Sequence, residues 1–288
     1  MDIDEPGPLK ARLKTTGHFT IAGTMPGPGN FFLMGNSEVD TYPLTGRFLL
    51  GRLRHAMTAE EKDLIESLIE RTERFTGSTT LLERGQLADQ STMLIEGFMM
   101  RTIVETGQRF VVGFHVPGDF TDLHAFALKR LDHDVVTLGD TLVGYVSHAR
   151  LEHVMKDHPH LARLLWFSTL LDAAIHREWI LKLQELTAAR RVAHVFAELW
   201  HRLDLVGLGR RDGLRTPLVQ ADLADMCGTT AIHMNRALGQ LRREGIAEFR
   251  RGALYVTDRA RLERFGAFNP DYLYGQGDLR VGGELTGH

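Results

Sequence analysis

The sequence predicts an α+β chain: an antiparallel barrel or jelly roll, one long helix, and a C-terminal unit of two crossed helices followed by a hairpin. Three observations carry that prediction. Short apolar runs separated by glycine turns fill the stretch from about residue 76 to 147. After Pro159 a helical pattern of about 27 residues is apolar on more than one face. From residue 220 a helical period runs to Gly245 and gives way to two short strands.

In order along the chain, residues 1–45 are rich in glycine and proline and hold no sustained period. They read as a flexible arm in which only Phe31-Phe32-Leu33-Met34 offers an apolar docking run. Phe48, Leu49, Leu50 and Leu53 predict a short helix. Thr58 with Glu61 three residues on is a capping box, and Leu64, Ile65, Leu68 and Ile69 form the apolar stripe of the helix it starts. Strands are predicted at 79–83, 91–95, 98–104, 109–115, 135–137 and 141–147. The turns between them fall at Gly77, Gly85, Gly97, Thr106-Gly107, Pro117-Gly118 and Gly139-Asp140.

In the long helix, Leu161, Leu164, Leu165, Trp166, Phe167, Leu170, Leu171, Ala174 and Ile175 cover two faces. One face has the barrel to pack on. The other is covered most simply by the same helix of a second copy, the alternative being burial within one subunit. Val192, Val195, Phe196, Leu199 and Leu203 predict a further amphipathic helix over 187–206, followed by a glycine- and arginine-rich loop to Thr216.

Composition narrows the class. The chain has 288 residues, about twice a common domain, with 43 % hydrophobic and 25 % charged residues, values that exclude a wholly disordered or collagenous chain. No apolar run reaches the length of a membrane helix, and the acidic start Met1-Asp2-Ile3-Asp4-Glu5-Pro6 is unlike a secretory signal, so a cytoplasmic location is expected. One cysteine, Cys227, excludes an internal disulfide and any cysteine-held zinc or iron–sulfur site. The net charge of -3 hides a division: residues 187–265 carry fourteen arginines, no lysine and nine acids, a local charge of +5, which leaves -8 for the remainder. A basic module on an acidic body points to an anionic partner for the module.

Residues 220–239 supply the chemistry for such a partner. Two short helices that cross tightly need a small residue at the crossing and a turn residue tolerant of positive φ, and Ala224 and Gly228 stand at those offsets. Leu223, Cys227, Met234, Ala237 and Leu238 provide buried contacts, and Thr230 caps the second helix. The start of that helix, Thr229, Thr230 and Ala231, suits a phosphate. His233, Asn235 and Arg236 follow on its first turns, and Arg and Asn make bidentate bonds to guanine and adenine edges. Ile246–Phe249 and Ala253–Val256 form a hairpin with Arg250-Arg251-Gly252 at its tip. Arg242, Arg243, Arg250 and Arg251 are suited to backbone phosphates. This is the pattern of a winged helix-turn-helix on double-stranded DNA.

The order of helix, short-stranded barrel, long helix and winged helix-turn-helix resembles the Crp/Fnr family of bacterial transcription regulators over roughly residues 45–268. Val116-Pro117-Gly118-Asp119-Phe120, Ala189-Arg190-Arg191-Val192-Ala193 and the helix-turn-helix carry the likeness. The resemblance implies a flexible extension (1–45), a β-roll sensor domain like those that bind cyclic nucleotides (46–158), a dimerisation helix (159–187), a winged helix-turn-helix (188–268) and a tail (269–288). It also implies a homodimer on a pseudo-palindromic operator, effector control from the roll, and RNA polymerase as a partner. Gly118, Asp119, Asp122 and His133 fall where family members bind an effector. Two features depart from the family. Ile232 stands where a glutamate is common. Asp132-His133-Asp134 stands where cyclic-nucleotide members have an arginine and a hydroxyl residue, and carboxylates there repel a cyclic phosphate. Cyclic AMP and cyclic GMP are therefore not expected to bind, and no cofactor is expected.

Two other readings stay open at this level. His115, His124 and His133, interleaved with Asp119, Asp122, Asp132 and Asp134, are ligand types for zinc, iron or manganese, or for haem. They would make the barrel a metal-dependent cupin-like enzyme or a metal or haem sensor, whereas the plainer reading takes them as turn and surface residues. The other reading is a helix-turn-helix that contacts protein instead of DNA.

Overall fold

The computed structural model describes residues 37–275. Phe31–Met34, most of the N-terminal arm and the tail beyond residue 275 lie outside the described residues. The chain is already folded at residue 37, earlier than the glycine-rich composition predicts. Glu38 accepts from Arg54 Nε at 2.9 Å and from Lys62 Nζ at 2.5 Å. The expected short helix at 48–53 is instead a run of turns ending in a 3-10 turn at Arg54–Ala56, with Leu49 and Gly51 at positive φ. Its apolar residues Phe48, Leu49 and Leu53 are nevertheless buried. Helix α1 (Ala59–Leu68) begins at Thr58 with the capping box formed in both directions.

The roll is an antiparallel sheet of β1 (Arg71–Phe75), β2 (Thr80–Leu82), β3 (Gln90–Glu105), β4 (Gln108–His115) and β5 (Asp134–Ser147), in the order β1-β5-β3-β4, with β2 also on β5. The sequence divides β3 at Gly97 and β5 at Gly139-Asp140. In the fold both strands run through, because these glycines take positive φ at bends and β3 absorbs its bend as two register shifts beside Gly97. Strand β1 shows no alternation in the sequence because it is an edge whose residues Arg71–Arg74 are all exposed. Thr106-Gly107 makes a tight hairpin between β3 and β4 with both residues at positive φ. A short helix α2 (Ala125–Leu128) follows the loop after β4, and α3 (His148–Asp157) leads into the long helix α4 (Pro159–Glu185).

Two cores result. One joins the turn residues Phe48 and Leu53 and Ile65 of α1 to Met93, Val146, Leu151 and Leu161, Leu164 and Leu165 of α4. The other is built on α5 (Ala188–Leu205), whose Val192, Phe196, Leu199, Trp200 and Leu203 pack under α6 (Gln220–Met226), α7 (Ala231–Arg243) and α8 (Arg259–Phe265). This second core is continuous with Met100, Val111, Phe114 and Leu138 of the roll. The C-terminal unit therefore rests on strands β3, β4 and β5. After α8 the chain returns through a 3-10 turn, Pro270–Leu273, and seats Leu273 against Leu171 and Ile175 of α4.

Candidate DNA interface

Helices α6 and α7 are joined by Cys227–Thr230. Gly228 takes φ +56°, Thr229 N–H donates to the Ala224 carbonyl at 3.0 Å, and Thr230 Oγ1 accepts from His233 N–H at 3.3 Å as the N-cap. Arg191 donates to the Cys227 carbonyl and clamps the turn onto α5. Burial pushes the Cys227 thiol up to about 12, so it serves as packing and not as a nucleophile. Met234, Ala237 and Leu241 are buried on one face of α7 together with Leu223, Ala224 and Cys227, and Leu238 is half-buried at the margin.

The opposite face carries Ala231, Ile232, His233, Asn235 and Arg236, all exposed, with Arg242 and Arg243 exposed toward the helix end. Thr229 is half-buried and Thr230 exposed at the helix start. The wing is a three-stranded sheet ordered β6 (Gly213–Arg215), β8 (Ala253–Tyr255), β7 (Glu248–Arg250). Its tip is a two-residue turn with Arg251 at φ +49° and Gly252 at +75°, which throws the Arg251 side chain outward. Arg250 is exposed over the Tyr255 ring, 5.3 Å from its centroid, with only a 3.9 Å contact to Glu248. Among the described residues, His233, Asn235, Arg236, Arg242 and Arg251 have no side-chain partner. Several other arginines of the basic module are internal ties. Arg190 donates to the Phe265 carbonyl at 3.0 Å, Arg261 to the Glu244 carbonyl at 2.7 Å, and Arg259 pairs with Asp204 and Glu263. Exposed arginines without an ion pair thus stand on α7 and at the wing tip, with others at Arg211, Arg215 and Arg264.

The four residues expected at an effector site do not share one cavity. Gly118, at φ +97°, lies so close to the Arg47 carbonyl that a Cβ there would sit 2.3 Å from it. Asp119 accepts from Arg202 Nη2 of α5 at 2.7 Å and from Val116 N–H at 3.0 Å. Burial alone would raise its pKa, but the Arg202 charge and His115 hold it well below the carboxylate range. Asp122 accepts from Thr92 N–H at 2.5 Å and Thr92 Oγ1 at 3.1 Å, and burial lifts it to about 6. His133 bonds Asp132 through Nδ1 at 2.8 Å. Gly118 and Asp119 line one cleft beside α4 and α5, and Asp122 and His133 do not.

Sequence reasoning missed the arginines that organise this region. Arg101, 3 % exposed in the middle of β3, donates to the Thr121 carbonyl at 2.7 Å and pairs with Asp172 of α4. Arg202 also reaches Glu198, which is fully buried and further accepts from Trp179 Nε1 at 2.9 Å and Tyr272 Oη at 2.7 Å. Arg109 of β4 bonds Asp222 at 2.6 Å and Asp225 at 2.8 Å on α6. Arg101 was the detectable one, as a lone charge in the apolar run Phe98–Val104. Arg109, Arg202 and Glu198 look like ordinary solvated charges until the two units are packed together. His115 and His124 are held neutral by burial and by the Arg101 charge, with pKa values lowered to about 4 and about 3. Among the described residues no three His, Cys, Asp or Glu side chains converge to hold a metal, and the barrel-enzyme reading finds no support. No helix among those residues is long and apolar enough to cross a membrane.

Comparison with known proteins agrees with this architecture. Residues 190–265 match the Crp-like helix-turn-helix domain. The chain is 29 % identical over 195 residues to the transcriptional activator protein FnrL of Cereibacter sphaeroides, covering 65 % of this chain and 77 % of that one. It is 24 % identical over 194 residues to the nitrogen fixation regulation protein FixK of Bradyrhizobium diazoefficiens, covering 67 % and 81 %. Its fold is similar to the structure of FixK2 from Bradyrhizobium japonicum, with a TM-score of 0.61 at 23 % identity over 69 % of this chain and 98 % of that one. Residues 190–265 are thus a Crp-like helix-turn-helix domain, and the chain as a whole is similar to transcriptional regulators of the Crp/Fnr family.

Proposed function

We propose that this regulator acts as a homodimer on a pseudo-palindromic operator, with α7 of each copy in a major groove. His233, Asn235 and Arg236 read base edges there, while Thr229, Thr230, Ala231, Arg242, Arg250 and Arg251 hold the phosphate backbone. The observation that carries this reading is the shared exposure of His233, Asn235, Arg236, Arg242, Arg250 and Arg251 on α7 and the wing, with almost no partners of their own. Ile232, 67 % exposed in the same row, makes apolar contact, for which a thymine methyl is the natural target. The pairing surface is the outer face of α4, where Trp166 is 63 %, Leu170 51 % and Ile180 58 % exposed while Leu161, Leu164, Leu165 and Leu171 are buried against the chain's own core. An apolar row of that length on a polar-rimmed helix supports a second copy as its cover.

The roll passes a signal to the reading head, and the signal is not a cyclic nucleotide. In support, Asp119 is committed to Arg202, and carboxylates flank His133 where a cyclic phosphate would need cations. RNA polymerase is the remaining partner this role calls for, and the location that fits it is the cytoplasm. The test is fluorescence anisotropy of labelled duplex DNA with the purified full chain across a salt series. Affinity that falls steeply with salt, through counterion release, supports the reading, and affinity indifferent to salt opposes it. Cyclic AMP binding in the micromolar range overturns the claim about the signal.

A further inference from the structure

A cleft of about 500 Å³, part of it open to solvent, lies where four parts of the chain meet: the turns at 47–52, the loop after β4, helix α4 and helix α5. Three guanidinium groups, Arg47, Arg52 and Arg202, line it, together with Asp119 and Asp172. The charges do not balance locally. Asp172 is taken by Arg101. Asp119 is taken by Arg202, which Glu198 also neutralises from behind. Arg52 is 5 % exposed, and its one hydrogen bond runs from Nε to the Leu273 carbonyl at 2.9 Å, a neutral acceptor. Arg47 has a buried Nε with no partner at all among the described residues. No carboxylate lies within ion-pair distance of either arginine among those residues.

A buried guanidinium without an ion-pair partner is unfavourable, and the half-buried Arg47, with its Nε buried and unpartnered, adds to the positive charge beside the same cleft. Arginine's planar fork fits the paired oxygens of a carboxylate or a phosphate. We propose that this cleft is a binding site for a small oxyanion, held by Arg47 and Arg52 next to the Asp119–Arg202 pair. The cleft has room for only a few water-sized groups, so the ligand is the size of phosphate or acetate and not of a nucleotide. The site differs from the surroundings of Asp122 and His133. Its placement has a consequence that rests on the regulator reading: an anion there sits between roll and reading head and competes with Asp119 for Arg202, so its occupancy biases how α5 is held.

Isothermal titration of the full chain in Tris-chloride, with sodium phosphate and sodium acetate as separate titrants, tests the site. Saturable one-to-one binding of either is the expected result, and which titrant binds identifies a phosphate or a carboxylate source. Arg52→Gln should weaken that binding at least tenfold, Arg47→Gln by a smaller factor, and Arg71→Gln, which removes a surface ion pair, should leave it unchanged. If Arg52→Gln fails to fold by circular dichroism, Arg47→Gln alone decides. Absence of heat with both anions, or binding undiminished in Arg47→Gln and Arg52→Gln, overturns the proposal. DNA affinity measured on the same samples separates the two readings. Binding to DNA without anion binding removes only the cleft, and anion binding without DNA binding removes only the regulator role.

Discussion

In α7 and the wing, Asn235, Arg236, Arg242 and Arg251 stand exposed and without partners, whereas around the loop after β4 the buried Asp122 and the half-buried Asp119 are bonded to the chain itself. Both regions are rich in polar residues at positions where a ligand would be sought. The difference lies in who satisfies them. A solvated side chain loses little by waiting for a partner, so unpartnered arginines on one helix face read as an interface. Buried charges are costly without a partner, so Asp119, Arg202 and Glu198 read as structure that ties the roll to the C-terminal unit. Among the described residues, Arg47 Nε is one of a few buried polar atoms without a partner, with Arg54 Nη2 and a ring nitrogen each of His115, His133 and His148, while Arg52 has only the neutral Leu273 carbonyl.

The largest expected effect tests the buried side. Arg202→Met removes the cation shared by Asp119 and Glu198 and leaves one buried and one half-buried carboxylate without it. We expect a loss of about 3–5 kcal/mol in urea unfolding, while a loss below about 1 kcal/mol would place the pair in solvent. The next largest is a pH effect. His115 has its pKa lowered to about 4 by burial and the Arg101 charge, against partial opposition from Asp119. Below about pH 6.5 the unfolded chain takes up a proton at this residue that the folded chain refuses. Stability therefore falls from pH 6.5 to about 4 and levels off below, by about 3 kcal/mol for this group. His115→Gln should reduce the slope over that range without removing it, because His124 and His201 are lowered in the same way, and an unchanged slope would assign it to other groups.

Effects on the exposed side are smaller. Arg236→Ala should lose about 1–3 kcal/mol of affinity on the preferred sequence and relax discrimination at one base position in each half-site. Equal loss on all sequences would move Arg236 to the backbone. Arg250→Ala should weaken binding evenly across sequences and lower the salt slope by about 1 per copy. Neither substitution should change the urea midpoint appreciably, because neither side chain carries a buried contact.

Much of the exposed side was legible in the sequence, since the helix-turn-helix imposes local rules. Ala224, Gly228 and the capping Thr230 are short-range requirements, and the structure meets each. The capping box at Thr58 and the length of α4 were legible for the same reason. The misses were long-range. Gly97 and Gly139 look like turns because only the pairing of β3 with β5 shows them to be bends within continuous strands. The edge strand β1 has charges where alternation would be sought. The pairing of Asp119 with Arg202, 83 residues later, has no local signature. No local pattern announces a buried ion pair between two units.

Paired reading heads on one duplex form the central claim, and selection of bound sequences from a random DNA pool with the purified chain tests it most directly. The predicted outcome is an enriched inverted repeat whose half-site centres lie about one helical turn apart. A single unrepeated motif, half-sites at variable spacing, or no enrichment at all would contradict it.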